Sequence, residues 1–323
     1  MKNIKLCFLL LFFTSNCLAQ PALLVENKKI DWQQYHQLFK DEKKEIPIDK
    51  FSHIQHVELS EITYYSDDLK IEAFMAAPKK EGKYPVIIFN RGGNRDFGAL
   101  QLFRGKWKFS TAYFFGKWAE KGYVVIGCNY RGSGKSEGME EFGGEDVNDV
   151  LNLINVLNEL PKADTASIGM YGWSRGGMMT YLALKKTKKI KAAVVGGALA
   201  DLTVIDRPEM ESGVYAELIP GYWENKEVEL KNRSALFWAD QFSKEVPILL
   251  LHGNADWRVK PENSLKLALE FEKYRIPYRL MIFEGGDHGI REHAAEKEEQ
   301  VFSWFERYLK NGEALPNMEF HGR

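Results

Sequence analysis

From about residue 57 onward, short apolar runs of strand length alternate with longer amphipathic segments. The runs Val86–Phe89 and Ile248–Leu251 are continuously apolar, as expected of strands buried on both faces of a sheet. Because helix-length segments separate most of these runs, the pattern predicts an α/β fold with a mostly parallel sheet and helices on both faces. The eight predicted strands are Val57–Tyr65, Lys70–Ala77, Pro85–Asn90, Tyr123–Cys128, Ala166–Tyr171, Ala192–Gly196, Pro247–His252 and Arg279–Phe283.

Asp67 and Asp68 leave no room for a helix between the first two strands, so these strands should pair as an antiparallel hairpin at the N-terminal edge of the sheet. A region over about 201–244 interrupts the alternation between the sixth and seventh strands. Two interpretations remain open for it: a lid or wall over the substrate, or a segment that only packs on the domain. The predicted helices are Ala112–Lys121, Asp146–Glu159, Gly176–Lys186, Pro261–Lys273 and Ala295–Leu309.

With 323 residues, 45 % of them hydrophobic, the chain is long enough for one large globular domain or two small ones. We assign residues 57–312 to this domain, 20–56 to an N-terminal extension that lies over it, and 313–323 to a C-terminal tail. The formal net charge of −1 gives no electrostatic reason to expect nucleic acid as a partner. Since no long apolar run follows the first twenty residues, we expect no stable membrane insertion of the mature chain.

Residues 1–19 have the three parts of a secretory signal peptide. Lys2 and Lys5 form a positive region, residues 6–13 are apolar, and small residues precede a cleavage site after Ala19. We therefore expect export to the periplasm or the medium, with an uncleaved N-terminal membrane anchor as the alternative. Cleavage would leave Cys128 as the one cysteine, so no internal disulfide can form and this thiol should be buried and unreactive.

Gly172–Gly176 matches the pattern G-x-S-x-G, with Ser174 at its centre. The motif follows a predicted strand and begins a predicted helix, which is the setting of a nucleophile elbow in the α/β-hydrolase fold. In such a turn the serine hydroxyl is exposed above the sheet, next to the N–H groups of a helix N-terminus. We therefore predict that Ser174 is a catalytic nucleophile.

A serine hydroxyl needs a base to remove its proton, and in this fold the acid and the histidine follow the serine in chain order. His288 lies in the glycine-rich loop after the last predicted strand and is the candidate base. Asp256 follows the strand before it and is the candidate carboxylate that orients the histidine. His252 closes that same strand and is interpreted as a structural, hydrogen-bonded histidine, and Asp287 is a weaker candidate because it adjoins His288.

An oxyanion hole needs two donors, usually backbone N–H groups. Arg175, directly after the nucleophile, should supply one. The loop after the third strand should supply the other, and we assign it to Gly92, while Arg91 and Gly93 remain open. Neither a metal nor an organic cofactor is required by this chemistry, so none is predicted.

With these residues in place, the chain from about residue 57 to 309 resembles the catalytic domain of the prolyl oligopeptidase (S9) family of serine peptidases. The resemblance rests on five motifs: Tyr84–Gly93, Asn129–Gly134, Gly172–Gly177, Leu251–Asp256 and Gly286–Gly289. That family commonly carries an N-terminal β-propeller, for which this chain has no room, and Arg91 stands where a histidine or tyrosine is usual.

The resemblance implies a serine-type peptidase that cleaves short peptides through an acyl-enzyme. The alternative is a carboxylesterase, similar to acetyl esterases or dienelactone hydrolases, that acts on small esters. Two alternatives come from other classes: a catalytically silent binding protein that uses the same cleft, and a metal hydrolase that uses His252, Asp256 and His288.

Overall fold

The apolar runs of the sequence form one sheet in the computed structural model, which describes residues 23–31, 48–103 and 111–322. Within these ranges nine strands are hydrogen-bonded in the order β1-β2-β3-β5-β4-β6-β7-β8-β9. The strands are β1 Leu24–Ile30, β2 Val57–Ser66, β3 Leu69–Pro78, β4 Tyr84–Asn90, β5 Val124–Cys128, β6 Ala163–Trp173, β7 Ile190–Gly196, β8 Ile248–Gly253 and β9 Tyr278–Phe283. The predicted signal peptide, residues 1–19, lies outside the described residues.

Strands β4 to β9 run parallel to one another. Strands β1, β2 and β3 form an antiparallel edge, in which β3 pairs antiparallel with β5. This confirms the predicted mostly parallel sheet with an antiparallel N-terminal edge. The sheet has one strand more than the eight predicted, because β1 falls in residues 20–56, which were assigned to an N-terminal extension and carry no clear periodicity. Five of the seven β1 residues are exposed and most of them are polar, so the strand is held by backbone pairing with β2 and has no apolar alternation.

Helices cover both faces of the sheet, as predicted. The longer helices are α1 Thr111–Glu120, α2 Asp146–Val156, α3 Arg175–Lys186, α4 Tyr222–Arg233, α5 Glu262–Tyr274 and α6 Ala294–Phe305. Short helical turns occur at Ile48–His56, Leu157–Glu159, Pro208–Met210, Glu211–Tyr215, Ala216–Leu218, Ala235–Gln241 and Glu306–Lys310. Apolar residues of α2, α3 and α5 pack on one face of the sheet, and those of α1 and α6 pack on the other.

The region over about 201–244 contains a helix that the sequence did not predict. Only Tyr222, Leu230 and Arg233 of α4 are buried, and most of its other residues are charged or polar. An apolar stripe is the signal by which a helix is recognised in a sequence, and α4 has too few buried apolar residues to show one.

Cys128 lies at the end of β5 and is buried, as predicted. Burial raises the pKa of its thiol to about 12, so the reactive thiolate does not form near neutral pH. Among the described residues, no helix combines the length and the apolar character needed to cross a membrane.

Candidate active site

The candidate site lies at the carboxyl ends of the parallel strands, where the strand order reverses around β4. The chain passes from β4 to β5 on one side and then to β6 on the other side of β4. Loops that leave β4 and its neighbours therefore diverge, which opens a crevice at this edge of the sheet. Asn90 at the end of β4 pairs with Gly172 in β6, so Gly92 and Ser174, two residues further along each strand, emerge side by side.

Ser174 occupies a sharp turn between β6 and α3. Its backbone angles, φ 59° and ψ −125°, are strained for a residue with a side chain. Glycines make the turn possible: a Cβ on Gly172 would lie 2.2 Å from the carbonyl oxygen of Gly176, and one on Gly176 would lie 1.9 Å from that of Asn90. The Ser174 N–H donates to the carbonyl of Gly196 in β7, 2.8 Å away. These contacts are those of a nucleophile elbow.

His288 and Asp256 form a hydrogen-bonded pair from the loops after β9 and β8. The Nδ1 atom of His288 lies 2.7 Å from Oδ2 of Asp256. The other carboxylate oxygen accepts the N–H groups of Arg258 at 2.8 Å and of Val259 at 3.0 Å. The carboxylate is thus fixed in orientation and presents one oxygen to the histidine.

Burial by itself would raise the pKa of the Asp256 carboxyl, but hydrogen bonds from His252 and His288 and from the N–H of Val259 lower it below its ordinary range. The carboxylate therefore stays ionised near neutral pH. His252 is fully buried: its Nδ1 contacts the Ser264 hydroxyl at 2.7 Å and its Nε2 contacts the Val259 carbonyl at 2.8 Å. This is the structural position that the sequence indicated for His252.

The nucleophile turn and the histidine loop are joined directly. The indole N–H of Trp173 donates to the carbonyl oxygen of His288 at 2.8 Å. Gly197 lies behind the pair: a Cβ there would make ordinary van der Waals contacts, 3.4 Å from both Asp256 Oδ2 and His288 Nδ1. Ser174 and His288 line the same cavity. The Ser174 hydroxyl makes no hydrogen bond to His288 among the described residues, and such contacts commonly tighten only when substrate is present.

Asp287 is engaged elsewhere. One of its carboxylate oxygens accepts the N–H of Gly289 at 2.9 Å, and the other accepts from the guanidinium of Arg291 at 2.6 Å. The structure therefore brings Asp256, and not its sequence competitor, to His288.

The two positions predicted for the oxyanion hole lie beside the nucleophile. A Cβ on Gly92 would lie 3.2 Å from Cβ of Ser174, whereas one on Gly93 would meet the backbone of Phe97. Gly92 is therefore the residue of this loop that faces the serine. Among the described residues, neither its N–H nor that of Arg175 donates to another group.

A cluster of buried charged side chains, which the sequence did not predict, lies beneath the site. The guanidinium of Arg175 contacts carboxylates of Glu140, at 2.6 Å, and of Asp146, and it donates to the carbonyl of Gly93 at 3.1 Å. Arg91 lies 3.7 Å from the other oxygen of Glu140. All four charged side chains are at most 2 % exposed. The cluster ties the residue after the nucleophile to the loop that carries Gly92, and only the spatial proximity of these distant segments could have revealed it.

Tyr130, in the glycine-rich segment after β5, lies under the same cluster. Its hydroxyl donates to the carbonyl of Arg91 at 3.0 Å, and the guanidinium groups of Arg91 and Arg175 lie 4.8 and 4.9 Å from its ring centroid. This contact supports the loop after β4 from below.

A cavity of about 780 Å³ opens above Ser174 and His288. One wall is aromatic and is formed by Phe89, Phe97, Phe114, Phe115, Tyr171 and Trp173. The region over about 201–244 also forms part of the lining, with Val204, Ile205, Arg207, Met210 and Tyr215. Of the two interpretations of this region, the structure therefore favours the substrate wall.

Metal chemistry was an alternative for His252, Asp256 and His288. In residues 23–31, 48–103 and 111–322, no group of three or more histidine, cysteine, aspartate or glutamate side chains is arranged to hold a metal ion.

Fold and site together define the class of protein: an α/β hydrolase in which an elbow serine, a histidine and an aspartate follow β6, β9 and β8. Residues 107–312 match the model of the prolyl oligopeptidase family, Peptidase_S9. The chain belongs to this family, whose members are serine peptidases, and the resemblance stated from the motifs is confirmed.

Similar proteins are peptidases. The chain is 28 % identical to the uncharacterised peptidase YtmA of Bacillus subtilis over 238 residues, which are 72 % of this chain and 87 % of that protein. It is 25 % identical to dipeptidyl-peptidase 5 of Porphyromonas gingivalis over 72 % of this chain and 34 % of that protein. The acylaminoacyl peptidase of Pyrococcus horikoshii superposes with a TM-score of 0.67 and 26 % identity, over 81 % of this chain and 43 % of that one. The chain thus spans most of YtmA and less than half of the other two.

Proposed function

We propose that this chain is a serine peptidase that hydrolyses short peptides through an acyl-enzyme on Ser174. The observation that carries the proposal is the 2.7 Å hydrogen bond between His288 and Asp256, on loops that border the same cavity as the elbow serine. Membership of the prolyl oligopeptidase family favours amide bonds over esters as the bonds that are cleaved.

In the proposed reaction, the Oγ atom of Ser174 attacks the scissile carbonyl carbon while Nε2 of His288 takes its proton. The tetrahedral intermediate collapses when the C–N bond breaks and the imidazolium returns the proton to the leaving amine. A water then gives a proton to His288 and attacks the acyl-enzyme, and the serine hydroxyl is restored as the acid leaves. Asp256 holds the neutral imidazole with its Nδ1–H toward the carboxylate and stabilises the imidazolium.

The developing oxyanion would accept hydrogen bonds from the N–H groups of Arg175 and Gly92. The first lies at the N-terminus of α3 and the second beside Ser174 after β4. Donors that are fixed before the reaction need no reorganisation in the transition state, which is why such groups stabilise it strongly. The Arg91 side chain lies in the buried cluster and takes no part in this step.

The cavity suits a peptide of a few residues. A volume of about 780 Å³ is within the range of small-ligand sites, and its aromatic wall would accept an apolar side chain.

The test combines active-site labelling with a substrate panel. A fluorophosphonate should label the wild type and not Ser174→Ala, and kcat for peptide anilides should fall by about 10⁶-fold in that variant. The exposed Ser212, changed to alanine, is the matched control and should behave as the wild type. Labelling that persists in Ser174→Ala would refute the nucleophile, and cleavage of p-nitrophenyl esters without cleavage of peptides would establish the esterase instead.

Export through residues 1–19 belongs to the same proposal. It is supported by the order of segments in the sequence: a positively charged region, an apolar region, and small residues that end at Ala19. The mass of the mature protein should correspond to a chain that begins at Gln20. A full-length chain in the membrane fraction would indicate an uncleaved anchor.

A further inference from the structure

Lys297 places a positive charge in the wall of the cleft, next to the proposed acid–base residue. Its side chain lines the cavity together with Trp173 and Gly289. The ammonium donates to the carbonyl oxygen of Gly289 at 2.5 Å and lies 5.0 Å from the ring centroid of Trp173. Because Gly289 follows His288 and Trp173 precedes Ser174, this charge lies on the side of the cleft where the two proposed catalytic residues meet.

No carboxylate of the described residues lies within 4 Å of this ammonium, although acidic residues are near it in sequence. The three whose charges act on Lys297 each have another partner: Glu298 contacts Lys117 at 2.6 Å, Asp287 accepts from Arg291 at 2.6 Å, and Glu292 accepts the N–H of Asp287 at 2.9 Å. An ammonium has three donors, and Lys297 uses one of them within the described structure. Burial lowers the pKa of Lys297, since nothing nearby fully replaces the water that its charge has lost.

The other cations of the cavity differ from Lys297. Four of them have a carboxylate within 4 Å, namely Arg91, Arg175, Arg207 and Lys260. Arg258 has none among the described residues, but it is exposed and its guanidinium lies 5.5 Å from the ring centroid of Trp257, on the aspartate loop. Lys297 is therefore the half-buried cation of this cavity whose charge is available to a bound molecule.

We propose that Lys297 binds a carboxylate carried by the leaving group, so that the enzyme prefers short peptides that end just past the scissile bond. The inference rests on the proposed function. The imidazolium of His288 protonates the leaving amine, so the leaving group must lie against the histidine loop, where Lys297 contacts Gly289. A residue spans at most about 3.6 Å of chain, so a C-terminal carboxylate one or two residues past the scissile bond is short enough to stay beside this loop.

The experiment compares three peptides of the same length. The first ends in a free carboxylate, the second is the same peptide with a C-terminal amide, and the third is a C-terminal amide in which the residue directly after the scissile bond is glutamate. The wild type should cleave the free acid with a kcat/KM about 10- to 100-fold above that of the amide, the range expected for a hydrogen bond between charged groups. Lys297→Met should bring this ratio close to one, and Lys297→Arg should restore part of it. Lys121→Met removes a lysine that lies 3.9 Å from the ring centroid of Phe302 in the same helix, outside the cavity, and it should leave the ratio unchanged.

The outcomes separate the possible explanations. Preference for the glutamate amide over both other peptides, lost in Lys297→Met, would support the site with a side-chain carboxylate as its ligand. A wild-type ratio near one, or an equal loss for acid and amide in Lys297→Met, would overturn the inference and leave the peptidase intact. Failure to cleave any of the peptides, together with failure of fluorophosphonate labelling, would refute the proposed function itself.

Discussion

Replacing Asp256 by asparagine tests the proposed mechanism at the point where the geometry is best defined. One carboxylate oxygen accepts two backbone N–H groups, from Arg258 and Val259, and the other faces Nδ1 of His288. An asparagine must keep its carbonyl oxygen toward the two N–H donors, because the reverse orientation would lose two hydrogen bonds, about 1 kcal/mol each. Its NH₂ group therefore points at Nδ1 of His288.

This orientation reverses the histidine tautomer. Nδ1 must then accept a hydrogen bond, so the proton moves to Nε2, and a protonated Nε2 cannot take the proton of Ser174. We expect kcat for peptide hydrolysis to fall about 10⁴-fold, which is about 5.4 kcal/mol of transition-state stabilisation. The measurement is steady-state hydrolysis of a peptide anilide near neutral pH, with circular dichroism to show that the fold is kept.

Asp287→Asn is the matched control, because this neighbouring carboxylate contacts Arg291 and the N–H of Gly289 and not the imidazole. It should change kcat less than about 3-fold, a small effect beside the loss expected on reversing the tautomer. A loss below 10-fold in Asp256→Asn, or equal losses in the two variants, would refute the assignment of Asp256 as the orienting carboxylate.

Two further predictions concern stability. Arg175→Met leaves Glu140 and Asp146 buried without the cation that they share, so the free energy of unfolding in urea should fall by about 3–5 kcal/mol. Adding Asp146→Asn to this variant should recover part of the lost stability, because one of the two unpaired charges is then removed. A loss below about 1 kcal/mol in Arg175→Met would contradict this account of the cluster. The pKa of Asp256 is lower in the folded chain than in the unfolded one, so its ionised form stabilises the fold above pH about 4, and this stabilisation is lost as the pH falls below that value. The stability difference between the wild type and Asp256→Asn should therefore shrink on acidification, and a difference that is constant with pH would show that the pKa is not lowered.

The order of elements and the three proposed catalytic residues were accessible from the sequence because they depend on local signals. Apolar runs such as Val86–Phe89 and Ile248–Leu251 identify strands of a covered sheet by composition alone. The turn around Ser174 needs small residues where the backbone approaches itself closely, so its glycines mark the elbow. In this fold the acid and the histidine follow the serine in chain order, each after a strand, and Asp256 and His288 lie at those positions.

The edge strand β1 and helix α4 could not be predicted for the opposite reason. Most residues of β1 are exposed and polar, and α4 buries only three side chains, so neither element has the apolar periodicity from which structure is inferred. β1 is held by backbone pairing with β2, and Arg233 of α4 donates to the distant carbonyls of Glu141 and Phe142; no local pattern describes these contacts.

Only the tertiary structure shows that Gly92 faces Ser174, which carboxylates pair with Arg175 and where Lys297 lies. Each depends on which distant segments meet at the carboxyl ends of β4, β6 and β9. The sequence by itself determined the class of fold, the turn at Ser174 and the chain order of the three proposed catalytic residues, since these follow from turn chemistry and strand composition. Packing decided the shape and charge of the cleft, because contacts between residues remote in sequence exist only once the sheet is assembled.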